Sequence, residues 1–520
     1  MSSLYRRAPV YLFLLIAISF CKHRPSTEVQ EINQLQLISP ANGVELTSQG
    51  VEFKWETIDN ATHYHYQASK DVGFTNTVID TVIDSPTVQL SGFQFGNYYA
   101  WRVSPIMQGS SGIWSEIHQF RVKKASHNPV ESFENFIYAN NANFFLDGET
   151  FHFAGTNAYY LPNYQKIDPK VVNRAFRLFK NTGITVIRMW GFYDGYDCGY
   201  SRTDPNENVI QTEPGVYSEE ALKDLDEVIA KGKELGIYFI IPFINYWDEL
   251  GGICQYNTWA GAENPSTNME FFLSNEQTQK WYKDYISMLL NRVNTVTQTA
   301  YKNEPAIFAW QIMNEGRNSG KEATVMRDWY RDIAQYIKSI DPNHMVSTGE
   351  EGFDEGTPSD YSVSQYENTY TLRSNEGTSY ILNTNIPEID FGNAHWYPTE
   401  YGFGDEINDA FLTAQKAWLN DHQAIAANAG KPSIIGEYGY PGWGNEQMKK
   451  VYRHFYTYAE TIALDGNLIW QLTADGAKCW EFGGNICYPG GRADSSLYKM
   501  YKDHVKTMKT EVGSTPTHIP

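Results

Sequence analysis

Two glutamates are of the residue type that acid–base and nucleophilic chemistry require, and each closes a short apolar run. The run Ala306–Met313 ends in Asn314 and Glu315, and the run Ser433–Gly436 ends in Glu437. Such brief, dense runs are typical of buried parallel strands, where polar groups at the carboxyl end are costly unless they are used. Asn314 and Glu315 could instead cap the following helix, so this stretch alone leaves the choice open.

Other polar and aromatic residues also stand at the ends of predicted strands. Singly, each has a structural explanation: Arg188 could form a buried ion pair, His395 could be a satisfied core histidine, and Trp470 could plug a barrel. Together they favour one shared site at the carboxyl ends of parallel strands. These residues are Arg188, Trp190, His395, Tyr397, Trp470 and Gln471.

Two carboxyl groups that face each other suit the hydrolysis of a glycosidic bond. One protonates the leaving oxygen while the other attacks the anomeric carbon, and a retaining mechanism places them about 5–5.5 Å apart. Glu437 is predicted to be the nucleophile, with its pKa lowered by Arg188 and its carboxylate touched by Tyr397. Glu315 is predicted to be the acid/base, which needs a less charge-stabilising setting, with His395 orienting it.

The sugar is expected to meet one amide and several aromatic side chains. Asn314 is placed to donate to the 2-hydroxyl, a contact that strengthens in the transition state. Trp470 is predicted to form a stacking floor beneath the cleaved sugar, and Trp259 a further aromatic floor. Trp190, two residues after Arg188, is expected to help shape the pocket.

These residues belong to a pattern of strands alternating with longer helical segments between residues 133 and 511. Eight such strands predict a (β/α)8 barrel with long loops. The strands are predicted at Phe151–Asn157, Thr185–Trp190, Ile237–Ile244, Ala306–Met313, Met345–Thr348, Phe391–His395, Ser433–Glu437 and Asn467–Gln471. The helices are predicted at Val171–Asn181, Glu219–Leu235, Gln277–Val296, Glu322–Ser339, Ile407–Ala429, Met448–Leu464 and Leu497–Met508, with a long polar loop at 350–388.

A different pattern precedes the barrel. In residues 36–123, short runs of alternating apolar and polar residues are separated by turn residues such as Pro40–Gly43. This spacing predicts a small antiparallel β-sandwich. The segment Gly96–Val122 resembles the second half of a fibronectin type III or Ig-like module. A spacer role is expected for such a module, with carbohydrate binding as the alternative.

The N-terminus carries the pattern of an export signal. Arg6 and Arg7 precede the apolar run Val10–Phe20, which is too short to span a bilayer. Cys21 follows at once, so residues 1–20 resemble a bacterial lipoprotein signal, with simple secretion as the alternative. We therefore predict a secreted or cell-surface protein, with outer-membrane attachment through a lipid on Cys21. The net charge of −20 argues against nucleic acid and anionic membrane surfaces as partners.

Four cysteines remain beyond Cys21, an even number that permits two disulfides in an exported chain. Cys479 and Cys487 are close enough in sequence to staple one loop, and Cys198 and Cys254 would then join two loops. No Cys-x-x-Cys pair or histidine-rich cluster in the sequence indicates a metal site, and no cofactor is predicted.

The barrel region resembles glycoside hydrolase family 5 of clan A, and within it the endo-β-1,4-mannanase subfamily of fungi, plants and bacteria. The Trp-Asp-x-x-Gly-Gly loop makes the resemblance specific to the subfamily, which implies Glu315 as acid/base and Glu437 as nucleophile. Gly316 departs from the proline that usually follows Asn-Glu in the family, and glycine is expected to loosen this turn. The stretches that carry the resemblance are Val186–Phe192, Asn245–Gly252, Gln255–Trp259, Ala300–Trp310, Asp341–His344 and Gly349–Phe353.

The resemblance predicts a retaining endo-β-1,4-mannanase acting on mannan, galactomannan and glucomannan. A β-1,4-glucanase or an exo-β-mannosidase on the same barrel is an alternative, and the segment 350–388 could block one end of a cleft as exo action requires. A non-catalytic glycan-binding lipoprotein is a third possibility. It is disfavoured because a binding protein does not need a matched acid and nucleophile.

Overall fold

The structure is a computed structural model. It describes residues 35–46, 51–75, 77–90, 93, 97–107, 110–122, 136–198, 208–354, 375–403, 407–440, 446–474, 486–487 and 495–509. These residues form two compact units, one up to residue 122 and one from residue 136 onward. The export signal 1–20, Cys21 and Cys479 lie outside the described residues, so what was predicted for them stays a prediction. In the described part of the chain, no helix has both the length and the apolar character needed to cross a membrane.

Two β-sheets make up the N-terminal unit. Every second residue of Val51–Trp55 is buried, and Phe53 packs against Tyr66 and Trp101 of the other sheet at ring distances of 4.9 and 5.0 Å. The expected all-β sandwich is therefore present, whereas its fibronectin type III or Ig-like assignment stays a prediction. One sheet contains Leu37–Ser39, Val51–Trp55 and Thr87–Leu90, and the other contains Val44–Leu46, His63–Ser69, Thr77–Ile83, Tyr98–Met107, Ser110–Ser111 and His118–Val122.

Parallel strands form the barrel of the second unit. They are β1 (Phe153–Asn157), β2 (Val186–Arg188), β3 (Tyr238–Pro242), β4 (Ile307–Gln311), β5 (Met345–Ser347), β6 (Gly392–Trp396), β7 (Ser433–Tyr438) and β8 (Gly466–Ile469). Their order is β5-β4-β3-β2-β1-β8-β7-β6. Asp390 joins the two ends of this order, because its N–H donates to the Val346 carbonyl (2.8 Å) and its carboxylate accepts from the Val346 N–H (2.7 Å). The predicted (β/α)8 barrel is confirmed.

Helices surround the strands and fill several loops. They are α1 (Leu161–Ile167), α2 (Pro169–Thr182), α3 (Glu219–Leu235), α4 (Gly252–Trp259), α5 (Met269–Ser274), α6 (Glu276–Asn291), α7 (Ala323–Ile340), α8 (Tyr380–Thr384), α9 (Asp409–Asn428), α10 (Glu446–Thr461) and α11 (Ser495–Thr507), with a 3-10 turn at Tyr301–Asn303. Two short ribbons pair Gln211–Glu213 with Val216–Tyr217 and Leu472–Thr473 with Ile486–Cys487.

Two predicted segments differ from the structure. The helix predicted at Gln277–Val296 ends at Asn291, because the Asn294 side chain accepts the N–H groups of Val296 (2.8 Å) and Thr297 (3.0 Å) and closes a turn. The loop predicted at 350–388 contains helix α8, which the Ser379 hydroxyl caps by accepting the Leu382 N–H. Residues 355–374 of that loop lie outside the described chain.

A small three-stranded antiparallel sheet closes the amino end of the barrel, and the sequence pattern did not predict it. Tyr138–Asn140 pairs with Asn143–Leu146, and the latter pairs with Glu149–Thr150. The Phe144 ring lies 5.2 Å from that of Phe308 and 5.4 Å from that of Phe391, at the beginnings of β4 and β6. With this end filled by aromatic rings, the carboxyl end is left for a site.

A disulfide joins Cys198, in the segment after β2, to Cys254 in α4, which follows β3. The two Cα atoms are 6.0 Å apart, and this predicted pairing is confirmed. It ties together two of the connections at the carboxyl end of the barrel. The pairing of Cys479 with Cys487 stays a prediction, since Cys479 lies outside the described residues.

Candidate active site

The carboxyl ends of the parallel strands bring the predicted site residues to one face of the barrel, although these residues are far apart in sequence. Because each lies at the end of a buried strand, its backbone is held by two neighbouring strands. Arg188 is the last residue of β2, Asn314 and Glu315 follow β4, His395 lies in β6, Glu437 lies in β7, and Trp470 follows β8.

The segment after β4 is fixed by backbone hydrogen bonds to both of its neighbours. The Asn314 N–H donates to the Ile244 carbonyl (2.8 Å), and the Glu315 N–H donates to the Gly349 carbonyl (2.9 Å). Glu315 has a φ of +53°, a left-handed conformation that residues other than glycine rarely adopt. A Cβ on Gly349 would lie 2.3 Å from the Met313 carbonyl oxygen, so only glycine permits this close approach.

Glu437 is bound by one cation and one hydroxyl. Arg188 Nη1 donates to Oε1 at 2.5 Å, and the Tyr397 hydroxyl donates to Oε2 at 2.7 Å. Arg188 is fully buried, and the Glu437 side chain is 5% exposed. Each oxygen of Glu437 therefore has its own donor, which fixes the plane of the carboxylate.

Glu315 is bound by two neutral rings. Trp247 Nε1 donates to Oε2 at 2.6 Å, and His395 Nδ1 lies 2.6 Å from Oε1. Among the described residues, His395 Nε2 is buried and has no hydrogen-bond partner. The Glu315 side chain is 12% exposed, so it is open to a ligand that enters the barrel mouth.

The two carboxylates and the histidine converge on a common point. One oxygen of Glu315, one oxygen of Glu437 and a ring nitrogen of His395 all lie within 4.8 Å of one another. These are also residue types that bind metals. However, Arg188 already places a positive charge on Glu437, so the arrangement is better suited to acid–base and nucleophilic chemistry than to a cation.

Burial raises the pKa of both carboxyl groups above the ordinary range. We expected Arg188 to give Glu437 a low pKa. A charged His395, the charge of Arg188 and the hydrogen bond from Tyr397 each lower this pKa, but burial outweighs them. Since two carboxylates this close cannot easily be charged together, the group with the stronger cationic contact loses its proton first. That group is Glu437, and its charge then keeps Glu315 protonated.

Arg317, whose charge lowers the pKa of Glu315, is itself held by two other carboxyl groups. Arg317 donates to both oxygens of Glu351 (2.5 and 2.7 Å) and to Glu376 (3.2 Å). Its stabilising effect on a charged Glu315 is therefore weaker than that of Arg188 on Glu437. Glu315 has the less charge-stabilising environment that a general acid requires.

His395 and Tyr397 are both neutral at neutral pH. Burial lowers the pKa of His395 to about 3, with the nearby Arg188 acting in the same direction. Burial also raises the pKa of Tyr397 well above its ordinary value, so its hydroxyl stays a hydrogen-bond donor. Neither side chain adds a charge to the site.

Aromatic rings line the site on the side of β1, β2 and β8. The Trp470 ring stacks on that of Tyr159 at 5.4 Å with an interplanar angle of 3°, and it lies 6.1 Å from the Trp190 ring. Arg188 lies over the Trp190 ring at 4.7 Å. Trp259 is placed differently: it ends α4 and packs against Tyr256 at 5.3 Å, so the structure does not bring it into this aromatic group.

Among the described residues, three that hydrogen-bond Glu315 or Arg188 directly were not assigned to the site from the sequence. Trp247 binds Glu315, and it stands in the Trp-Asp-x-x-Gly-Gly loop, so the loop itself was a usable signal. Asn157, the last residue of β1, accepts from Arg188 Nη1 at 3.3 Å, and its place at a strand end was visible. Gln311 accepts from Arg188 Nε at 2.6 Å, but it lies inside an apolar run and gave no signal.

Gly316 is closely surrounded by side chains. A Cβ at this position would lie 2.5 Å from the Tyr330 hydroxyl oxygen and 2.9 Å from the Met313 sulfur. A larger residue would therefore displace its neighbours, whereas the expected loosening of the turn stays a prediction.

A parallel barrel with one glutamate just after β4 and another in β7, both at its carboxyl end, defines a retaining-type glycosidase site. Residues 134–505 match the model of the family described as GH family 5 beta-mannosidase-like. The chain therefore belongs to glycoside hydrolase family 5.

The relatives it resembles are named as mannanases. Putative mannan endo-1,4-beta-mannosidase 4 of Arabidopsis thaliana is 37% identical over 317 residues, which cover 59% of this chain and 73% of that protein. Mannan endo-1,4-beta-mannosidase 1 of Solanum lycopersicum is 33% identical and covers 68% and 87%, respectively. The solved structure of the endo-beta-1,4-mannanase from Thermotoga petrophila is 30% identical, with a TM-score of 0.60 over 69% of this chain and 77% of that one.

Proposed function

We propose that this chain is a retaining endo-β-1,4-mannanase that hydrolyses internal bonds of mannan, galactomannan and glucomannan. Family membership and the names of the relatives from Arabidopsis thaliana and Solanum lycopersicum support a mannan substrate. The observation that carries the proposal is the pair Glu315 and Glu437, whose oxygens approach within 4.8 Å. This close approach supports a retaining enzyme, whose carboxyl groups are about 5–5.5 Å apart, over an inverting one, in which space for a water separates them by about 6.5–9.5 Å.

In the first step, a carboxylate oxygen of Glu437 attacks the anomeric carbon while Glu315 gives its proton to the leaving oxygen. The glycosidic bond breaks, and an ester between Glu437 and the sugar forms. Arg188 and Tyr397 hold one oxygen of Glu437 each, and each oxygen keeps a lone pair for the attack. The enzyme thereby presents the nucleophile without reorganisation at the moment of reaction.

In the second step, Glu315 is ionised and takes a proton from the water that attacks the ester. The water oxygen bonds to the anomeric carbon, and Glu437 leaves as a carboxylate. A neutral His395 serves both steps with one tautomer, because its Nδ1–H can donate to Oε1 whether Glu315 is ionised or carries its proton on the other oxygen. The imidazole thus keeps its contact with Glu315 through both steps without becoming charged.

Recognition of the axial 2-hydroxyl of mannose falls to Asn314. Its Oδ1 accepts from Arg188 Nη2 (2.7 Å), and its Nδ2 donates one N–H to Asn245 Oδ1 (3.0 Å). A side-chain amide has two N–H groups, so the second can donate to the sugar. Because Arg188 fixes which end of the amide is nitrogen, the donor has a set position. An epimer with an equatorial hydroxyl leaves this donor unpaired, which can cost orders of magnitude in rate.

Matched assays on galactomannan, glucomannan and soluble cellulose derivatives test the proposal, with early products sized by chromatography. We expect fast cleavage of galactomannan, slower cleavage of glucomannan and little of cellulose, with oligosaccharides of several sizes appearing first. Cellulose cut as fast as galactomannan would replace this proposal with a glucanase. Mannose as the sole early product would replace it with an exo-β-mannosidase, and absence of any product would favour a binding protein.

The proposed location is the cell exterior, either in secreted form or attached to the outer membrane through a lipid on Cys21. The disulfide between Cys198 and Cys254 supports export, since disulfides persist in oxidising compartments. Expression of wild-type and Cys21→Ala chains in a bacterial host, followed by membrane fractionation, tests the anchor. We expect the wild type in the membrane fraction and the variant in the soluble fraction, whereas equal partition would remove the anchor from the proposal.

A further inference from the structure

Arg188 sends its hydrogen bonds to one charged partner and three neutral ones. Within the described part of the chain, Nη1 donates to Glu437 and to Asn157 Oδ1, Nη2 donates to Asn314 Oδ1, and Nε donates to Gln311 Oε1. Asn157, Asn314 and Gln311 are neutral amides. Among the described residues, no second carboxylate is therefore in direct contact with this buried guanidinium.

The orientation of the Gln311 amide is set by a chain of hydrogen bonds that ends at a backbone carbonyl. Asn393 Nδ2 donates to the Glu350 backbone carbonyl at 2.8 Å, and Gln311 Nε2 donates to Asn393 Oδ1 at 3.0 Å. A carbonyl only accepts and a guanidinium only donates, so both ends of the chain impose the same direction. Gln311 and Asn393 are each fully buried, where an unmade hydrogen bond is costly.

The row of hydrogen bonds from the Glu350 carbonyl through Asn393 to Gln311 also passes directly behind Glu437. A Cβ on Gly436, the residue before Glu437, would lie 2.2 Å from Asn393 Oδ1. The glycine leaves the space that the Asn393 amide occupies between β6 and β7. The same amide therefore packs against the strand that carries Glu437 and holds the side chain that directs Arg188.

We propose that Gln311 and Asn393 form a neutral amide relay that orients Arg188 toward Glu437 and leaves its charge undivided. They are positioning residues, and the inference rests on the proposed hydrolysis. The uncharged Oε1 of Gln311 accepts the hydrogen bond that the buried Nε of Arg188 donates. A carboxylate in the same place would pair with Arg188 and reduce the stabilisation of a charged Glu437.

In the part of the chain that the structure describes, four titratable or charged groups face Glu437: Arg188 on β2, Glu315 after β4, and His395 and Tyr397 on and after β6. All four are unchanged when Gln311 is replaced. If the pKa of Glu437 changes in a Gln311 variant, the change can therefore be attributed to Arg188, provided that the other contacts persist.

The test uses Gln311→Glu, with kcat/KM measured against pH on an activated aryl β-mannoside. This leaving group needs little protonation, so the acidic limb reports the ionisation of Glu437. We expect this limb to move to higher pH by roughly one unit, because a second carboxylate shares the charge of Arg188. An acidic limb at the wild-type pH, in a variant that melts as the wild type does, would overturn the proposal.

Gln415→Glu is the matched control for burying a carboxyl group in this barrel. Gln415 is also fully buried, and it lies in α9 with Oε1 2.6 Å from His454 Nδ1, away from both glutamates. We expect the acidic limb of this variant to coincide with that of the wild type. An equal shift in the control would show that the effect is general and would also overturn the proposal.

Two neutral variants keep the test decisive if a carboxyl at position 311 prevents folding. Gln311→Met leaves Nε of Arg188 without its acceptor, and we expect kcat to fall about tenfold with KM little changed. Asn393→Ala should lower kcat less than Gln311→Met does. The double variant should have the same kcat as Gln311→Met, because both residues act on Arg188 through one hydrogen bond. Additive losses would contradict a relay. Failure of the proposed function would be seen separately, as a wild type that does not cleave mannan.

Discussion

The ends of β4 and β7 present the same chemical group in two different environments. At the end of β7, Glu437 meets the guanidinium of Arg188 and the hydroxyl of Tyr397. After β4, Glu315 meets the rings of Trp247 and His395, both neutral. Burial raises the pKa of both carboxyl groups, so burial alone does not separate them. The cation decides which one is charged, and this difference assigns the nucleophile and the acid.

Removal of either carboxylate should have the largest effect. We expect Glu315→Gln and Glu437→Gln each to reduce turnover of mannan by several orders of magnitude, because each supplies a group that forms or breaks bonds in both steps. The melting temperature should stay close to that of the wild type. Substantial residual activity in either purified variant would sink the assignment.

An activated aryl glycoside separates the two roles. Because its leaving group needs little protonation, the burst of released phenol should survive in Glu315→Gln and disappear in Glu437→Gln. Equal loss of the burst in both variants would show that the environments of the two glutamates do not divide the roles as we describe.

Trp247→Phe sharpens the comparison at the Glu315 end. The indole N–H donates to Glu315 and lowers its pKa by stabilising the ionised form, so its removal should raise that pKa. The basic limb of kcat/KM, which reports ionisation of the general acid, should move to higher pH by about one unit. The acidic limb should not move. A shift of the basic limb toward lower pH would contradict the assigned polarity of this hydrogen bond.

A steric change behind Glu315 should have a smaller effect. Gly316→Ala brings a Cβ to 2.5 Å from the Tyr330 hydroxyl, which in the described residues is buried without a hydrogen-bond partner. We expect a loss of about 1–3 kcal/mol in the free energy of unfolding, with a modest fall in kcat. Adding Tyr330→Phe removes the clashing oxygen and should restore much of both. A double variant as unstable as the single one would refute the clash.

Asp465, just before β8, shows how a buried carboxyl behaves where no cation among the described residues influences it. It accepts the Ser433 N–H at 2.9 Å, and burial raises its pKa to about 8. The folded state thus keeps a proton that the unfolded state loses near pH 4, so stability falls as pH rises from about 4 to about 8. Asp465→Asn should raise the melting temperature by roughly a few degrees at pH 7 and not at pH 4. A gain that is the same at both pH values would contradict this titration.

The barrel and its two glutamates could be predicted from the sequence because buried parallel strands appear as short apolar runs, and their last residues reach one face. Glu315 and Glu437 each closed such a run, whereas Arg188 stood inside the predicted strand Thr185–Trp190 and ends it only in the structure. The pattern of short apolar runs therefore predicted both the fold and the positions of the charged groups.

What the sequence did not predict depends on contacts between segments far apart in the chain. The positive φ of Glu315 follows from backbone bonds to Ile244 and Gly349, and the burial that raises the pKa of Glu437 follows from the closed barrel. In the sequence, Gln311 is a single polar residue within an apolar run. Only the structure shows that Asn393 of β6 lies beside it as a hydrogen-bond partner. Trp259 packs against Tyr256 at the end of α4, and its role as a further aromatic floor stays a prediction.

The central claim is that Glu437 attacks the sugar directly while Glu315 handles the proton, and the stereochemistry of the product tests it most directly. Proton NMR can follow the anomeric signals of mannopentaose as the wild-type enzyme cuts it, before mutarotation mixes the anomers. Double displacement predicts that the new reducing end appears first as the β-anomer. An α-anomer appearing first would mean a single displacement by water, and it would contradict the role of Glu437 as nucleophile.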